Sequence, residues 1–461
     1  MKMHLTPQEI ADAVRGEVVA PGPPATGIST DTRTLRRGDL FFALLGEGGK
    51  AKPGEDGHRF VVEASERGAA GAVVSLAVAD TPPGFGLIRV DDTLLALGRL
   101  AARWRQRMPA RLAAVTGSVG KTSTKGMLGA ILSAFRSTLV ARASYNNEIG
   151  VPLTLLELDR SHVFCALELA MRGPGEIDAL ARMARPEVGI ITNIGASHAG
   201  RLGSREATAR AKGELLPLLP PTGAAVLKRS DFFFGILSEL SAAPVISFGI
   251  DATADVRAEE IVEGGLEGSR FRLILPDSRV AVTLPIPGRH QIENALAAAA
   301  AAHALGAPAE AMACGLSAYQ GTEMRGRIFR TRSGATVIDD SYNAAPDSVR
   351  AALQVLSTVP GRRLFVFADM LELGEEGPEE HRVVGERAAE AGVAHLLLVG
   401  ELAALAADSA AERGVAVARF ATPEEALAAL RVELRPGDTV LVKGSRIMRL
   451  EHVVEGLLAD A

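Results

Sequence analysis

Along the chain, short apolar runs alternate with longer segments in which apolar residues recur every three or four positions. That is the pattern of parallel strands covered by helices, an α/β fold. In the first ninety residues, DLFFAL at Asp39–Leu44 and GAVVSL at Gly71–Leu76 predict strands, and Phe60–Arg67 predicts a helix ended by Gly68. Leu94, Leu95, Leu97, Leu100 and Trp104 then recur at helical spacing until Pro109 breaks the run, ahead of a strand at Leu112–Val115. A domain boundary is expected near residue 91. Strands follow at Val163–Leu169, Val188–Thr192 and Ala224–Lys228, each separated by helical sequence. Between Val256 and Leu284 the period changes to two: Phe271, Leu273 and Leu275 alternate with Arg270 and Arg272, which predicts antiparallel hairpins. From about residue 326, TVIDD, LFVFAD, HLLLV and DTVLV alternate with helices such as Glu379–Ala391. The expectation is three domains: a small N-terminal α/β domain over 1–91, a central parallel sheet with added antiparallel strands over 92–325, and a C-terminal Rossmann-like domain over 326–461.

Composition narrows the function without choosing it. The 461 residues are 47% apolar and 23% charged, enough to bury several cores. Fifty basic and 55 acidic side chains leave a net charge of −5, which offers no electrostatic footprint for nucleic acid and no polybasic membrane patch. Aromatics make up only 4%, too few for a base-stacking surface. Cys165 and Cys314 stand alone, so neither a disulfide framework nor a CxxC pair exists. The alanine-rich run Ala295–Ala302 is far short of the ~20 residues that span a bilayer, and the amino terminus lacks a secretory apolar stretch. A cytoplasmic, monomeric protein acting on small molecules is expected, without nucleic acid or membrane as partner.

The sharpest chemical signal is TGSVGKTSTK, between the strand ending at Val115 and a helix. Thr116, Gly117, Ser118, Val119, Gly120, Lys121 and Thr122 read as a phosphate loop. Glycines let backbone amides turn toward an anion and the helix adds its positive end. Lys121 reaches the β and γ phosphates, and the Thr122 hydroxyl can ligate magnesium. The strict GxxxxGK[ST] pattern fails, because Val115 stands where the first glycine would be. Only eight of the 50 basic side chains are lysine, yet Lys121, Lys125, Lys212 and Lys443 fall near glycine in motif-like segments. That usage suggests sites needing a compact amine rather than a guanidinium. Further candidates stand at strand ends, where open α/β sheets assemble their sites. Glu168 can serve as a metal carboxylate and His198 follows GIITNIGAS. Asp339, Asp340, Tyr342 and Asn343 follow TVI, and Lys443, Ser445 and Arg446 follow DTVLV. His290 and Asn294, four apart, share a helix face that can meet a base or ribose. Each also has a plain reading as a loop residue, a cap or a core side chain.

Taken in order, the segments resemble the Mur ligase family of peptidoglycan biosynthesis over essentially the whole chain. They are STDTR at Ser29, GDLFFAL at Gly38, DGHRF at Asp56, TGSVGKTSTK at Thr116, NNEIGVPLTLL at Asn146 and GEI at Gly175. TNIGASH at Thr192, AKGE at Ala211, GRHQIEN at Gly288, DDSYNAAPDS at Asp339, DMLELGEE at Asp369 and KGSR at Lys443 complete the series. The resemblance implies a UDP-sugar-binding N-terminal domain, a central P-loop ATPase domain and a mobile C-terminal domain. It implies Lys121 on the ATP phosphates, Thr122 and Glu168 on one Mg2+, and His198 on a second. Lys212 aligns with a lysine that the family carries as a carbamate, an anion able to support the metal. Asn294 would contact adenine, with Arg327 and Asp340 reaching the nucleotide from the mobile domain. Lys121, His198, Lys212 and Arg327 would be the catalytic set. Ser29, Asp31 and Arg33 would belong to the uridine pocket, while Asn146, Asn147, Tyr342, Asn343, Lys443, Ser445 and Arg446 would serve the substrates. Three departures are visible: Gln291 replaces an asparagine, and Ala170 and Ala368 replace glycines.

DDSYNAAPDS and DMLELGEE are similar to the members that join D-alanyl-D-alanine to UDP-N-acetylmuramoyl-tripeptide, with ATP split to ADP and phosphate through an acyl phosphate. Such chemistry asks for positioning and charge neutralisation rather than a protein nucleophile. Two rivals stay open on sequence alone: an amide ligase with another acceptor, such as a diamino acid, and a nucleotide-gated binding protein that signals by domain closure.

Overall fold

The computed structural model describes residues 3–45, 56–195 and 202–459. It forms two compact units. The first comprises Met1–Ala114, Arg136–Met171 and Glu176–Glu187, and the second Val115–Phe135, Arg172–Gly175 and Val188–Ala461. In the first unit a five-stranded sheet runs Glu17–Ala20, Gly86–Arg89, Gly71–Val74, Asp39–Phe42, Gly27–Ser29; only its first pair is antiparallel. DLFF and GAVV are buried along their whole length, as strands covered on both faces must be. The helix Thr93–Arg105 begins where the Asp92 carboxylate accepts the Leu94 and Leu95 amides, and Trp104 donates its indole N–H to the Leu158 carbonyl. A parallel pair, Thr138–Val140 with Phe164–Glu168, ends at the buried Glu168.

The second unit holds the phosphate-loop helix Lys121–Phe135. It packs against helices Arg289–Ala304 and Ala309–Ala318. The run Ala295–Ala302 is wholly buried in the first of these. Small side chains let that helix lie close to the strands Ala224–Lys228, Val245–Gly249 and Val256–Glu263 as well as to the loop helix. Val188–Ile191, Ala224–Lys228, Val245–Gly249 and Val256–Glu263 pair in parallel. The predicted hairpins follow as Val256–Glu263, Ser269–Ile274 and Arg279–Leu284, antiparallel, with Phe271, Leu273 and Leu275 buried as the alternation requires. The third block is a six-stranded sheet in the order Arg327–Arg330, Thr336–Asp339, Thr439–Lys443, Arg363–Ala368, Val393–Val399, Ala416–Phe420. All its pairs are parallel except the first. Phe365 and Phe367 enter one core, Leu364 and Val366 the other, so helices cover both faces.

The seating of the phosphate-loop helix is tight. A Cβ on Gly315 would stand 2.4 Å from the Ile131 Cα, so the two helices touch backbone to backbone there. Gly315→Ala should therefore destabilise the protein by about 1–3 kcal/mol, the usual range for overpacking a filled interior, read as a lower urea midpoint with unchanged slope.

Candidate active site

The phosphate loop owes its shape to the neighbouring strand end. Ser118 N–H donates to the Asn193 carbonyl (3.0 Å), Val119 N–H to Asn193 Oδ1 (3.1 Å), and the Val119 carbonyl accepts from Thr192 Oγ1 (2.6 Å) and Asn193 Nδ2 (3.0 Å). Ser118 Oγ in turn accepts the Gly195 amide at 2.9 Å. Gly117 and Gly120 hold φ of 144° and 84°, a region closed to most side chains. The Lys121 ammonium curls back onto the Gly117 and Ser118 carbonyls at 2.8 and 3.1 Å, a resting contact that a phosphate would replace. The buried Thr116 hydroxyl has no hydrogen-bond partner among the described residues.

Ser118 to Ser123 line one wall of a cavity of about 600 Å3 in the second unit. His290, Gln291, Glu293 and Asn294 line another, and Arg325, Asp340, Tyr342, Asn343, Asp347, Arg350, Glu372 and Lys443 close it from the third block. Several of these charges are already matched. Lys443, buried, reaches Asp340 at 2.5 Å and the Asn343 carbonyl at 3.0 Å; Lys228 meets Glu293 at 2.7 Å; Arg350 meets Asp347 at 3.1 Å. Arg325 stacks on the Tyr342 ring at 4.1 Å. Burial pushes the His290 imidazole below the ordinary histidine range, and Lys443 adds to the shift against Asp340 and Glu293.

Lys212 is the most unusual group. It sits in the helix Arg205–Gly213, capped by Ser204, and is fully buried. Burial, with the Lys121 charge adding to it, holds its amine well below the usual lysine range.

The structure thus brings Ser118, Val119, Gly120, Lys121, Thr122, Asn294, Asp340, Tyr342, Asn343 and Lys443 to one cavity. Asn294 gives its Nδ2 to Gln291 at 3.0 Å, so the glutamine that departs from the family pattern fixes the Asn294 amide. Ser445 and Arg446 are turned to other partners: Ser445 Oγ accepts the Leu371 amide and Arg446 pairs with Glu451. Arg327 lies at the start of the edge strand over the Phe329 ring. His198 lies outside the described residues.

Within the first unit, Glu168 is buried and accepts from Asn146 Nδ2 at 2.8 Å, while Asn147 Oδ1 receives the Gly150 amide at the start of helix Gly150–Leu156. Ser29 Oγ donates to the Asp31 carbonyl, and Arg33 grips the Asp31 carboxylate with two nitrogens, whose charge and hydrogen bonds hold that carboxyl below the usual range. Sequence reasoning missed Asn193, Arg325, Asp347, Arg350 and Glu372. Asn193, Asp347 and Glu372 fall inside the segments TNIGASH, DDSYNAAPDS and DMLELGEE, whereas Arg325 and Arg350 carried no signal.

Gly117 tests the loop. A Cβ there would stand 1.9 Å from Thr192 Oγ1, the group that holds the Val119 carbonyl. Gly117→Ala should weaken binding of a nucleoside triphosphate at least about tenfold by calorimetry, while leaving circular dichroism unchanged.

The profile of the Mur ligase middle domain matches residues 115–302, and that of the Mur ligase, glutamate ligase domain matches 324–446. The UDP-N-acetylmuramoyl-tripeptide--D-alanyl-D-alanine ligase of Synechocystis is 39% identical, covering 94% of this chain and 92% of its own. MurF from Acinetobacter baumannii superposes with a TM-score of 0.89 at 34% identity over 99% of both chains. The MurF ligase from Thermotoga maritima in complex with ADP gives 0.79 at 25% identity, covering 94% of this chain and 97% of that one.

Proposed function

The chain belongs to the Mur ligase family, and on that premise we propose that it joins D-alanyl-D-alanine to UDP-N-acetylmuramoyl-tripeptide with hydrolysis of ATP to ADP and phosphate. The observation that carries this reading is the single cavity walled on one side by the Ser118–Ser123 loop and on the other by charged residues of the third block. A phosphoryl donor and an acceptor can meet there away from bulk water.

In the proposed reaction the tripeptide carboxylate attacks the γ-phosphorus and the bond to ADP breaks, leaving an acyl phosphate. The acceptor amine, in its neutral form, then bonds to the carbonyl carbon, loses one proton and expels phosphate. Lys121 leaves the Gly117 and Ser118 carbonyls for the phosphate oxygens, and the loop amides, already fixed by Thr192 and Asn193, receive negative charge without reorganising. Asn294, Arg327 and Asp340 are assigned to the nucleotide. Tyr342, Asn343, Lys443, Ser445 and Arg446 are assigned to the acceptor end, and Ser29, Asp31, Arg33, Asn146 and Asn147 to the UDP-linked substrate. The charge-fixed Asp31–Arg33 pair suits a phosphate neighbour.

Magnesium suits the donors present. The buried Thr122 hydroxyl and Glu168 carboxylate are hard oxygen ligands, and Mg2+ takes few protein groups beside water and phosphate. When bound, it would neutralise charge on the phosphates. His198 is assigned to a second ion. Lys212 is proposed to carry the carbamate: the neutral form of an amine, which burial favours here, can add CO2, forming an N–C bond and releasing one proton, and the product places an anion where a cation is disfavoured. The reading includes a cytoplasmic monomer. No helix among the described residues is long and apolar enough to cross a membrane, and burial lifts the Cys165 thiol to about 12, leaving it inert.

A phosphate-release assay with UDP-N-acetylmuramoyl-tripeptide, varying only the amine, decides among the readings. Release should require D-alanyl-D-alanine; a preference for a diamino acid, or indifference to any amine, selects a rival. Lys121→Ala should lower turnover about a thousandfold, equivalent to roughly 4 kcal/mol of transition-state stabilisation. Protein kept in 13C-bicarbonate should show a carbamate carbon resonance that Lys212→Gln lacks, and removal of CO2 should depress activity of the parent but not of that variant.

A further inference from the structure

The turn after the strand Arg363–Ala368 is held more firmly than a surface turn needs. His381, in the helix Gly377–Glu390, is fully buried against the Phe367 ring. Its Nε2 accepts the Met370 amide at 2.8 Å, which requires the proton on Nδ1, and Nδ1 donates to the Gly377 carbonyl at 2.6 Å. One imidazole in one tautomer therefore spans both ends of the turn. Burial depresses its basicity, opposed by the Gly377 carbonyl and the Asp369 charge, which favours that neutral form. Two more bonds secure the same stretch: Leu371 N–H to Ser445 Oγ at 2.9 Å and Ser445 N–H to the Asp369 carbonyl at 3.1 Å.

What this clamp presents is Glu372. Its φ is +67°, a left-handed conformation that is strained for a non-glycine residue and that a glycine would occupy freely. Eight non-glycine residues adopt positive φ among the described residues, and Glu372 alone of them lines the cavity. Strain kept at a site by surrounding bonds points to use of the side chain. The proposed acceptor arrives with an ammonium at its reacting end, and a carboxylate fixed on the wall is its complement.

We infer that Glu372 receives the ammonium of the acceptor and that His381 is the positioning residue that holds it there. This rests on the function proposed above. Glu372→Gln, which keeps shape and removes charge, should raise KM for D-alanyl-D-alanine about tenfold or more while KM for ATP moves less than about twofold. Glu372→Gly separates recognition from structure: relief of the left-handed backbone should hold or raise the thermal midpoint while the dipeptide KM still rises. His381→Phe should raise the same KM, and His381→Gln, which retains an acceptor for the Met370 amide, should recover most of it. An unchanged dipeptide KM in Glu372→Gln or Glu372→Gly overturns the inference, as does an equal rise in KM for ATP. Should the parent protein release phosphate regardless of dipeptide while binding ATP, the underlying reading falls, and the inference with it.

Discussion

The catalytic geometry depends on one backbone contact, the clasp between the phosphate loop and the end of the strand Val188–Ile191. Val119 is held at both its N–H and its carbonyl by Thr192 and Asn193, and Ser118 N–H is held by the Asn193 backbone. A glycine-containing loop left to itself would sample many conformations and would lose that freedom on every binding event. Fastened to a buried strand, it meets a triphosphate with its amides already aligned, which is the condition under which dipoles stabilise developing charge most effectively. Gly117 and Gly120 are then required for space as much as for φ, because Thr192 and Asn294 occupy the places where their side chains would go.

Two buried lysines show how the same fold handles an expensive charge in opposite ways. Lys443 bonds Asp340 and the Asn343 carbonyl, so a positive charge there is met at short range. Lys212 faces Lys121 instead, and burial with that repulsion drives it toward the neutral amine. In a chain that uses arginine for most of its positive charge, both positions need a group that an arginine cannot supply: a compact head in one case, a deprotonatable one in the other.

Much of this was legible in the sequence because burial leaves a strong pattern. Strands such as Ala224–Lys228 and Arg363–Ala368, covered on both faces, read as continuous apolar runs, and Ser269–Ile274 and Arg279–Leu284 showed their exposed face by alternation. Of the strands that escaped notice, Gly27–Ser29, Thr138–Val140 and Ala416–Phe420 are short or half-exposed, while Glu17–Ala20, Gly86–Arg89, Val245–Gly249 and Arg327–Arg330 have glycine, proline or charge within or beside them that cuts the apolar run short. At the cavity, residues at strand ends announced themselves by motif. Arg325 and Arg350 did not, since they reach the wall only through packing between segments apart in sequence. The positive φ of Glu372 is equally silent in the chain, because nothing about a glutamate predicts left-handed backbone.

The location of the cavity follows from strand direction. In the second unit, Ser118, Thr192, Ser230 and Phe248 come from the carboxyl ends of parallel strands of the central sheet, and Asp340, Leu371 and Lys443 from the carboxyl ends of strands of the third block. Open parallel sheets gather loops and helix amino termini at that edge, so each supplies donors and fixed dipoles there. An acyl phosphate is lost to water unless the amine is already in place, and a single sheet edge is an open crevice. Two such edges facing one cavity give each of the two reactants of the proposed reaction a wall to bind, the phosphate loop on one side and the charged strand ends of the third block on the other.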